Sequence, residues 1–368
     1  MLLFVMAAGL SLIFGLCRIV NLSHGSFYLI GGYITFSMVR LTGSFPFAVF
    51  ISMILTAFLG MAVERLLLQR FRIKPLSQVL LTFGLIFVFQ DLALWIWGGT
   101  PLLLKKISTL TGATSLFGFN YPTYRLLILL IGFMILFFLW WILIRTRLGI
   151  FIRAAVDDGE MANGVGIRMD FLITITFGFG IFLTGLAGSI GSPFLGLYPG
   201  LDIEVLLYAM AVVIVGGLGS LKGSFLGALL VGLVDSLSKA IWPETGMFSM
   251  FALMAIALIL KPTGLFGLPI LGSPQTSISE EIFFEEIKKR NDYSKQTHLG
   301  DKFLTIILTG ALIVFGILCP KILPLYYLRL FTLALIWSIF AMSLDLILGL
   351  GGIVSLGHAV FLVYRLIQ

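Results

Sequence analysis

The chain has 368 residues, of which 59% are hydrophobic and only 11% are charged, whereas a soluble domain typically carries about 25% charged residues. This composition excludes a soluble enzyme and predicts a polytopic membrane protein. The net charge of +7 does not indicate a nucleic-acid partner, because the basic residues gather in short loops beside apolar segments, where they orient a membrane protein.

Apolar runs predict the transmembrane helices in chain order. A membrane-spanning helix needs about 20 apolar residues, so the chain accommodates about 11–12 spans. The fold class is therefore all-α, and the 41 glycines and 34 phenylalanines suit close helix packing and lipid-facing bulk. We place the spans near residues 1–17, 26–42, 45–64, 76–97, 122–144, 171–190, 203–220, 224–242, 246–261, 303–319, 327–349 and 353–368.

Basic loops set the orientation of these spans. Four basic residues fall in the loop at 65–74 and four more fall at 145–168, with two predicted spans between the loops. Cytoplasmic loops carry an excess of Lys and Arg, so both loops are predicted to be cytoplasmic. The segment SPFLGLYPGLD at 192–202 has no basic residue and is predicted to face outward.

A histidine-centred turn occurs twice. The stretch NLSHGSF at 21–27 returns as SLGHAVF at 355–361, and the topology places both turns on the cytoplasmic side. Aligning His24 with His358 also matches Leu10, Leu12, Gly15, Leu16, Ile19, Val20, Leu22 and Phe27 with Leu344, Leu346, Gly349, Leu350, Ile353, Val354, Leu356 and Phe361. The repeat indicates two related membrane units, each opened by the same turn.

These features divide the chain into three parts. Residues 1–263 form one nearly complete unit with a slightly shortened N-terminus. Residues 264–302 form a polar cytoplasmic linker, in which acidic residues precede basic ones at helical spacing, as in a short solvated helix. Residues 303–368 contain the truncated start of the second unit.

Two long segments, GLSLIFGLCRIVNLSHGSFYLIGGYI at 9–34 and AVVIVGGLGSLKGSFLGALLVGLVDSL at 211–237, resemble the membrane subunits of bacterial ABC importers for branched-chain amino acids. Residues 1 to about 270 resemble the H-type permease subunit. Residues from about 303 resemble the start of its M-type partner, whose turn reads SLGHA as it does here.

This resemblance implies the ABC importer permease fold in the bacterial cytoplasmic (inner) membrane. It also implies an M-type permease subunit, two cytoplasmic ABC ATPases and an extracytoplasmic solute-binding protein as partners. The expected cargo is branched-chain, hydrophobic amino acids. Related permeases carry urea or short amides, which leaves that cargo open. Because the second unit is partial, a non-functional fragment of a fused permease is a further alternative.

The cytoplasmic segment RTRLGIFIRAAVDDGEMANGVGI at 145–167 contains a candidate for energy coupling. Its E-M-A-x-x-x-G pattern is similar to the coupling-loop motif of ABC importers, although a methionine replaces the usual first alanine. A short helix with small residues can dock in a groove of an ATPase, and glycine can end it. A merely solvated basic loop is the alternative. The candidate coupling residues are Asp157, Asp158, Glu160, Met161, Ala162 and Gly166.

Residues for nucleotide or metal chemistry are missing from the sequence. No G-x-x-x-x-G-K-[ST] loop occurs, and none of the three histidines belongs to an H-E-x-x-H motif. We therefore expect no enzyme activity, no metal and no cofactor bound by this chain, with ATP-Mg bound by the partner ATPases. Gly219, Gly223 and Gly227 recur every four residues and predict a small-residue helix face for close packing.

Polar residues inside apolar spans are candidates for the translocation pathway, because they are costly in a membrane. A structural role for the histidines is also expected, since His24 could bond backbone freed by a broken helix. Asp202 and Glu204 are predicted in an outer loop, where they would be solvated or help seat the binding protein. The candidates for the pathway or the broken-helix turns are Asn21, Ser23, His24, Gln90, Asp91, Ser355 and His358.

Overall fold

The structure, a computed structural model, describes residues 1–17, 19–72, 74–104, 112–116 and 119–267, together with single residues and short stretches between 324 and 343. The chain divides into two compact units, Met1–Leu271 and Gly272–Gln368. Nearly all of the predicted linker and second unit, including Ser355 and His358, lies outside the described residues. The histidine turn is therefore described in its first copy only.

Each span predicted between residues 1 and 261 is a helix in the structure. The two sets of bounds differ by a few residues at each end, as expected when apolar length alone defines a span. These helices are α1 (Leu2–Cys17), α2 (His24–Thr42), α3 (Phe45–Leu66), α4 (Pro75–Trp97), α5 (Thr123–Arg145), α8 (Met169–Leu195), α9 (Leu201–Gly216), α10 (Leu221–Ile241) and α11 (Gly246–Leu260).

Within the described part of the chain, five helices are long and apolar enough to cross a membrane. They are α3, α4, α5, α8 and α10, and the apolar helix α1 and the stretch Phe248–Leu260 of α11 are shorter. Together these helices make the first unit a polytopic all-α membrane protein, as the composition predicts.

Smaller elements lie in the connections between the long helices. The segment between α5 and α8, which is predicted to be cytoplasmic, folds into α6 (Arg147–Asp157) and α7 (Gly159–Gly164). An antiparallel hairpin, β1 (Ala113–Leu116) and β2 (Phe119–Pro122), precedes α5. Short 3-10 helices occupy Leu68–Phe71 and Pro243–Thr245. The hydrophobic pattern does not predict the hairpin, because its strands are too short to show a period of two.

Helix α8 is the central element of the first unit, and its most extensive contacts are with α1, α2 and α3. Its buried face is rich in Gly, Ser, Thr and Ala, and small residues allow helix backbones to approach closely in a membrane. Larger side chains fill the space around it, and Phe4, Tyr28, Tyr33, Phe177 and Ile181 are fully or almost fully buried.

Helix α2 begins deep in the helix bundle. The imidazole Nε2 of His24, its first residue, lies 3.1 Å from the backbone carbonyl oxygen of Met6. At 1.5 Å per residue, Met6 is about 16 Å from the end of α1 at Cys17. The prediction that this turn lies at the cytoplasmic surface is therefore wrong for His24. After α1 the chain turns back along the helices before α2 starts.

The residues that follow α11 cap the end of α9. The backbone N–H groups of Leu265 and Phe266 donate to the carbonyl oxygens of Val215 and Gly216, at 3.0 and 2.9 Å. The last carbonyls of a helix have no partner within the helix, so this strap, residues 261–267, supplies one. Residues 264–267, predicted as the start of the linker, thus pack against the first unit.

Candidate functional site

The turn between α1 and α2 holds a buried polar group. Ser23 donates to the Asn21 side-chain oxygen through its backbone N–H at 3.1 Å and its hydroxyl at 2.7 Å. His24 Nε2 also lies 2.9 Å from the hydroxyl oxygen of Thr184 in α8. These turn residues are at most 1% exposed. The sequence-predicted residues Asn21, Ser23 and His24 are thus brought together at the buried start of α2.

Helix α4 closes one side of this turn. The Thr82 hydroxyl accepts from the Leu22 backbone N–H at 3.3 Å and lies 3.4 Å from the Val20 carbonyl oxygen. Further along α4, the ring of Phe89 meets that of Phe27 edge to face, with centroids 5.2 Å apart. The irregular backbone before α2 is therefore buried in protein, the situation in which it is tolerated within a membrane.

Asp202 is the ionisable residue at the centre of this region. It lies in the first turn of α9 and is 1% exposed. The Ser26 hydroxyl donates to its Oδ2 at 2.9 Å, and the Gln90 amide Nε2 lies 2.9 and 3.1 Å from its two carboxylate oxygens. Asp202 thereby connects α2, α4 and α9.

The placement of Asp202 in a solvated outer loop is therefore wrong. Gln90 lies seven residues before the end of α4 at Trp97, which is about 10 Å along the helix axis, so Asp202 sits well below that end. The glycines and prolines at 192–202 favour a surface loop, yet here the loop turns back into the bundle. One feature of the sequence could have indicated the burial of Asp202: it is an acidic residue within an apolar segment and has no basic residue nearby.

The backbones of α2 and α9 touch beside this carboxylate. A Cβ atom on Gly25 would lie 1.9 Å from the Asp202 carbonyl oxygen, so any residue larger than glycine would force the two helices apart. Glycine at position 25 allows Ser26 to reach the Asp202 side chain.

The neighbouring acidic candidates differ from Asp202. Asp91 is exposed on the outer face of α4, so the structure does not bring it together with Gln90 and the turn. Glu204 is half-buried and accepts a 2.6 Å hydrogen bond from the Tyr198 hydroxyl. Asp202 was missed as a pathway candidate, whereas Asp91 lies away from the buried group.

The candidate coupling residues lie on or directly beside the two short helices α6 and α7. The Asp158 side chain accepts from the Met161 backbone N–H at 2.9 Å and caps α7. Met161 and Val165 are 67% and 78% exposed, and Gly166 adopts a φ of +97° just after α7. A shallow groove beside α7 is lined by Ala154, Asp157, Asp158, Met161, Ala162, Val165 and Ile167.

An ion network joins the two predicted cytoplasmic loops. Arg72 donates to Glu64 at the end of α3 and to Asp170 at the start of α8. The Thr174 hydroxyl also donates to Glu64, whose side chain is fully buried. Asp170 lies just after the candidate coupling segment at 145–167, so this network holds the C-terminal end of that segment close to α3.

The three predicted packing glycines do not form one helix face. Gly219 lies in the turn before α10, at a φ of +76°, which L residues rarely adopt. Its Cβ position would meet Gly15 of α1 at 3.0 Å. Gly223 and Gly227 do lie on α10, where they approach the Gly216 and Val212 carbonyl oxygens of α9. The spacing of four was misleading because α10 begins only at Leu221.

The part of the chain that the structure describes contains no group of three or more His, Cys, Asp and Glu side chains able to hold a metal ion. The buried groups described above are instead hydrogen-bonding side chains that face one another between helices. Such an arrangement can hold helix ends in place or contact a small polar solute.

Comparisons with known proteins place these features in a family. The family described as branched-chain amino acid transport system, permease component, matches residues 1–259. The high-affinity branched-chain amino acid transport system permease protein BraD of Pseudomonas aeruginosa is 27% identical over 283 residues, covering 72% of this chain and 91% of the relative.

Further relatives have corresponding names. The permease protein LivH of Escherichia coli K12 is 26% identical over 280 residues, with 72% and 91% of the two chains covered. The autoinducer 2 import system permease protein LsrC of Yersinia pestis (strain Pestoides F) is 29% identical over 208 residues, with 53% and 54% covered. No solved structure matches the chain.

Proposed function

Because this chain belongs to the family of permease components of branched-chain amino acid transport systems, we propose that it moves branched-chain amino acids into the cytoplasm as the membrane subunit of an ATP-driven ABC importer. The family match over residues 1–259 carries this proposal. The buried polar turn in an apolar bundle agrees with it, since a solute pathway needs hydrogen-bonding groups that lipid does not provide.

ATP is bound and hydrolysed by partner subunits in this proposal. The α6–α7 segment is the docking element, because it presents Met161 and Val165 to solvent beside a shallow groove. Its partner is one of two cytoplasmic ABC ATPases, whose closure on ATP-Mg pulls on α5 and α8 at either end of the segment. The Arg72 network transmits that pull to α3, because it ties α3 to the first turn of α8.

The remaining partners complete the pathway. An M-type permease subunit pairs with the first unit, and an extracytoplasmic binding protein delivers the solute. The complex works in the bacterial cytoplasmic (inner) membrane. Residues 303–368 resemble the start of such an M-type unit in sequence. Permeases for urea or short amides, and a non-functional fragment of a fused permease, are the competing assignments.

Reconstituted transport tests the proposal. The chain would be placed in proteoliposomes with its ATPases, its binding protein and a full-length M-type subunit, and uptake of labelled leucine and of labelled urea would be compared with and without ATP. ATP-dependent leucine uptake is expected. Uptake of urea alone would replace the cargo assignment, and the absence of any uptake would favour the non-functional fragment.

The docking element has its own test. Replacing Met161 with Glu places a charge in the exposed apolar contact and is expected to weaken binding of the purified ATPase at least tenfold. Replacing Met169 with Leu, at the start of α8, is the matched control and should leave the affinity unchanged. Unaltered ATPase binding by the Met161→Glu variant would contradict the docking role and favour the alternative that the α6–α7 segment is only a solvated loop.

A further inference from the structure

Asp202 is a buried carboxylate without a cation beside it. It is 1% exposed, and its side-chain partners are the neutral Ser26 hydroxyl and Gln90 amide. The ion pairs of the described residues involve Glu64, Asp170 and Asp235 but not Asp202. An ionisable group inside a membrane bundle is costly and normally serves a function.

The charge on Asp202 is favoured by two helix ends. Asp202 lies in the first turn of α9, and its partner Ser26 lies in the first turn of α2. The N-terminal end of a helix carries a partial positive charge. Two such ends therefore converge on one carboxylate, and their partial positive charge favours an anionic group at this position.

The Gln90 amide occupies the position that a cation would take. Its nitrogen lies 2.9 and 3.1 Å from the two carboxylate oxygens, and an ammonium group that binds a carboxylate donates from the same place. Gln90 belongs to α4, so a displacement of α4 from α2 would withdraw the amide and leave both oxygens free.

The turn before α2 holds further polar groups, and the same helices carry buried apolar side chains. Phe27 and Phe89, the sequence neighbours of Ser26 and Gln90, pack edge to face between α2 and α4, so a displacement of α4 from α2 would also separate these two rings. Asn21 Nδ2 and His24 Nδ1 are buried polar atoms that have no hydrogen-bond partner within the described part of the chain, so the turn retains unused hydrogen-bonding capacity.

We propose that Asp202 binds the ammonium group of the transported amino acid, which replaces the Gln90 amide when α4 moves away from α2 and α9. This inference rests on the proposed function and deepens it. The site requires a substrate with an ammonium group, so it selects amino acids over urea and short amides, which have none.

The test measures leucine imported per ATP hydrolysed in the reconstituted complex described above. Asp202→Asn is expected to lower this ratio at least tenfold, with ATP hydrolysis stimulated by the binding protein remaining within twofold of wild type. Gln90→Met removes the amide but keeps the carboxylate, so this variant should still import leucine, at a ratio clearly above that of Asp202→Asn. Asp91→Asn, an exposed carboxylate on α4, is the matched control and should not change the ratio.

Two results would overturn the inference. One is a wild-type ratio for Asp202→Asn. The other is an equal fall in leucine imported per ATP for Asp202→Asn and Gln90→Met, together with raised ATP hydrolysis in the absence of binding protein. That result would indicate that the two residues only hold the helices together.

A further variant covers the case in which Asp202→Asn does not assemble. Gln90→Lys tethers an ammonium group beside Asp202 and should abolish leucine uptake in an assembled complex, and uptake at the wild-type rate would overturn the inference. If the wild-type complex imports no leucine, the proposed function fails instead.

Discussion

Glu64 depends on Arg72 for compensation of its buried charge. Its side chain is fully buried at the end of α3, and the partly exposed Arg72 side chain bridges it to Asp170. Removing one partner of a buried ion pair leaves an uncompensated charge, which typically costs about 3–5 kcal/mol. A residue some distance from the polar turn therefore contributes to the stability of the cytoplasmic end of the bundle.

We predict that Arg72→Gln destabilises the first unit by about 3 kcal/mol, because Glu64 then loses its cationic partner. The measurement is the thermal unfolding midpoint of the detergent-solubilised protein. Arg70→Gln is the control, since Arg70 is exposed on the 3-10 helix that ends just before Arg72 and its loss should leave the midpoint unchanged. Equal midpoints for the two variants would show that Glu64 does not need Arg72.

The sequence draws attention to Asn21, Ser23 and His24 as polar residues between apolar runs, and the structure brings them together. Asp202 was assigned to the wrong surroundings, because burial depends on which helices pack around a residue. A single sequence does not contain that packing directly.

At the scale of elements, α7 depends on its cap. It has only six residues, and isolated helices of this length are unstable in water. The Asp158 side chain accepts from the Met161 backbone N–H and so satisfies one of the free donors at the helix start. The shape of the coupling segment is therefore set by one side chain.

We predict that Asp158→Ala destabilises α7 by about 1 kcal/mol, the usual cost of losing such a cap. If α7 docks the ATPase, the affinity of the complex should fall about fivefold. Asp157→Ala is the control, because Asp157 carries the same charge one residue earlier and does not cap α7. Binding curves for the purified ATPase measure both, and equal losses would point to charge rather than to the cap.

The strap at 261–267 is a second element that depends on one position. Gly217, the residue after α9, has a φ of +106°, and a Cβ atom there would lie 2.1 Å from the Gly267 backbone nitrogen. Only glycine adopts this conformation readily, so the turn and the strap fit together through its missing side chain.

We predict that Gly217→Ala destabilises the first unit by about 2 kcal/mol, through backbone strain and overpacking. Gly232→Ala in α10 should be neutral or slightly stabilising, because a Cβ atom there meets no other atom within 4 Å and alanine favours helix. Thermal unfolding of the two variants in detergent provides the comparison. An unchanged midpoint for Gly217→Ala would mean that the strap can shift without cost.

The elements themselves were largely predictable, because a membrane-spanning helix needs a long apolar run and the sequence contains these runs in order. Lengths alone did not reveal that α2 starts beside the middle of α1. That depth results from contacts of His24 with Met6 and Thr184, which join parts of the chain far apart in sequence. The same reason explains why Gly219 was predicted to share a helix face with Gly223 and Gly227.

At the scale of the whole molecule, the family match covers only the first of the two compact units. It ends at residue 259, and the first unit extends to Leu271. The sequence repeat suggests that residues from 303 onward are related to the start of the first unit. We propose that the transport pathway forms between the first unit and a second permease chain.

We predict that this chain, reconstituted with its ATPases and binding protein alone, imports no leucine, and that adding a full-length M-type subunit restores uptake at least tenfold above background. The physical reason is that one permease unit cannot enclose a pathway by itself. Omitting ATP in the restored system is the control. Full uptake by the chain without the added subunit would show that residues 303–368 suffice.

The buried start of α2 also has a consequence for biogenesis. The irregular backbone before His24 cannot face lipid, because its free polar groups would lack partners there. Its cover comes from Thr82 in α4 and Thr184 in α8, and Ser26 just after it bonds Asp202. The ribosome makes these residues long after it makes α1. Helices α1 and α2 therefore reach their final positions in the membrane only after about half of the chain has been inserted.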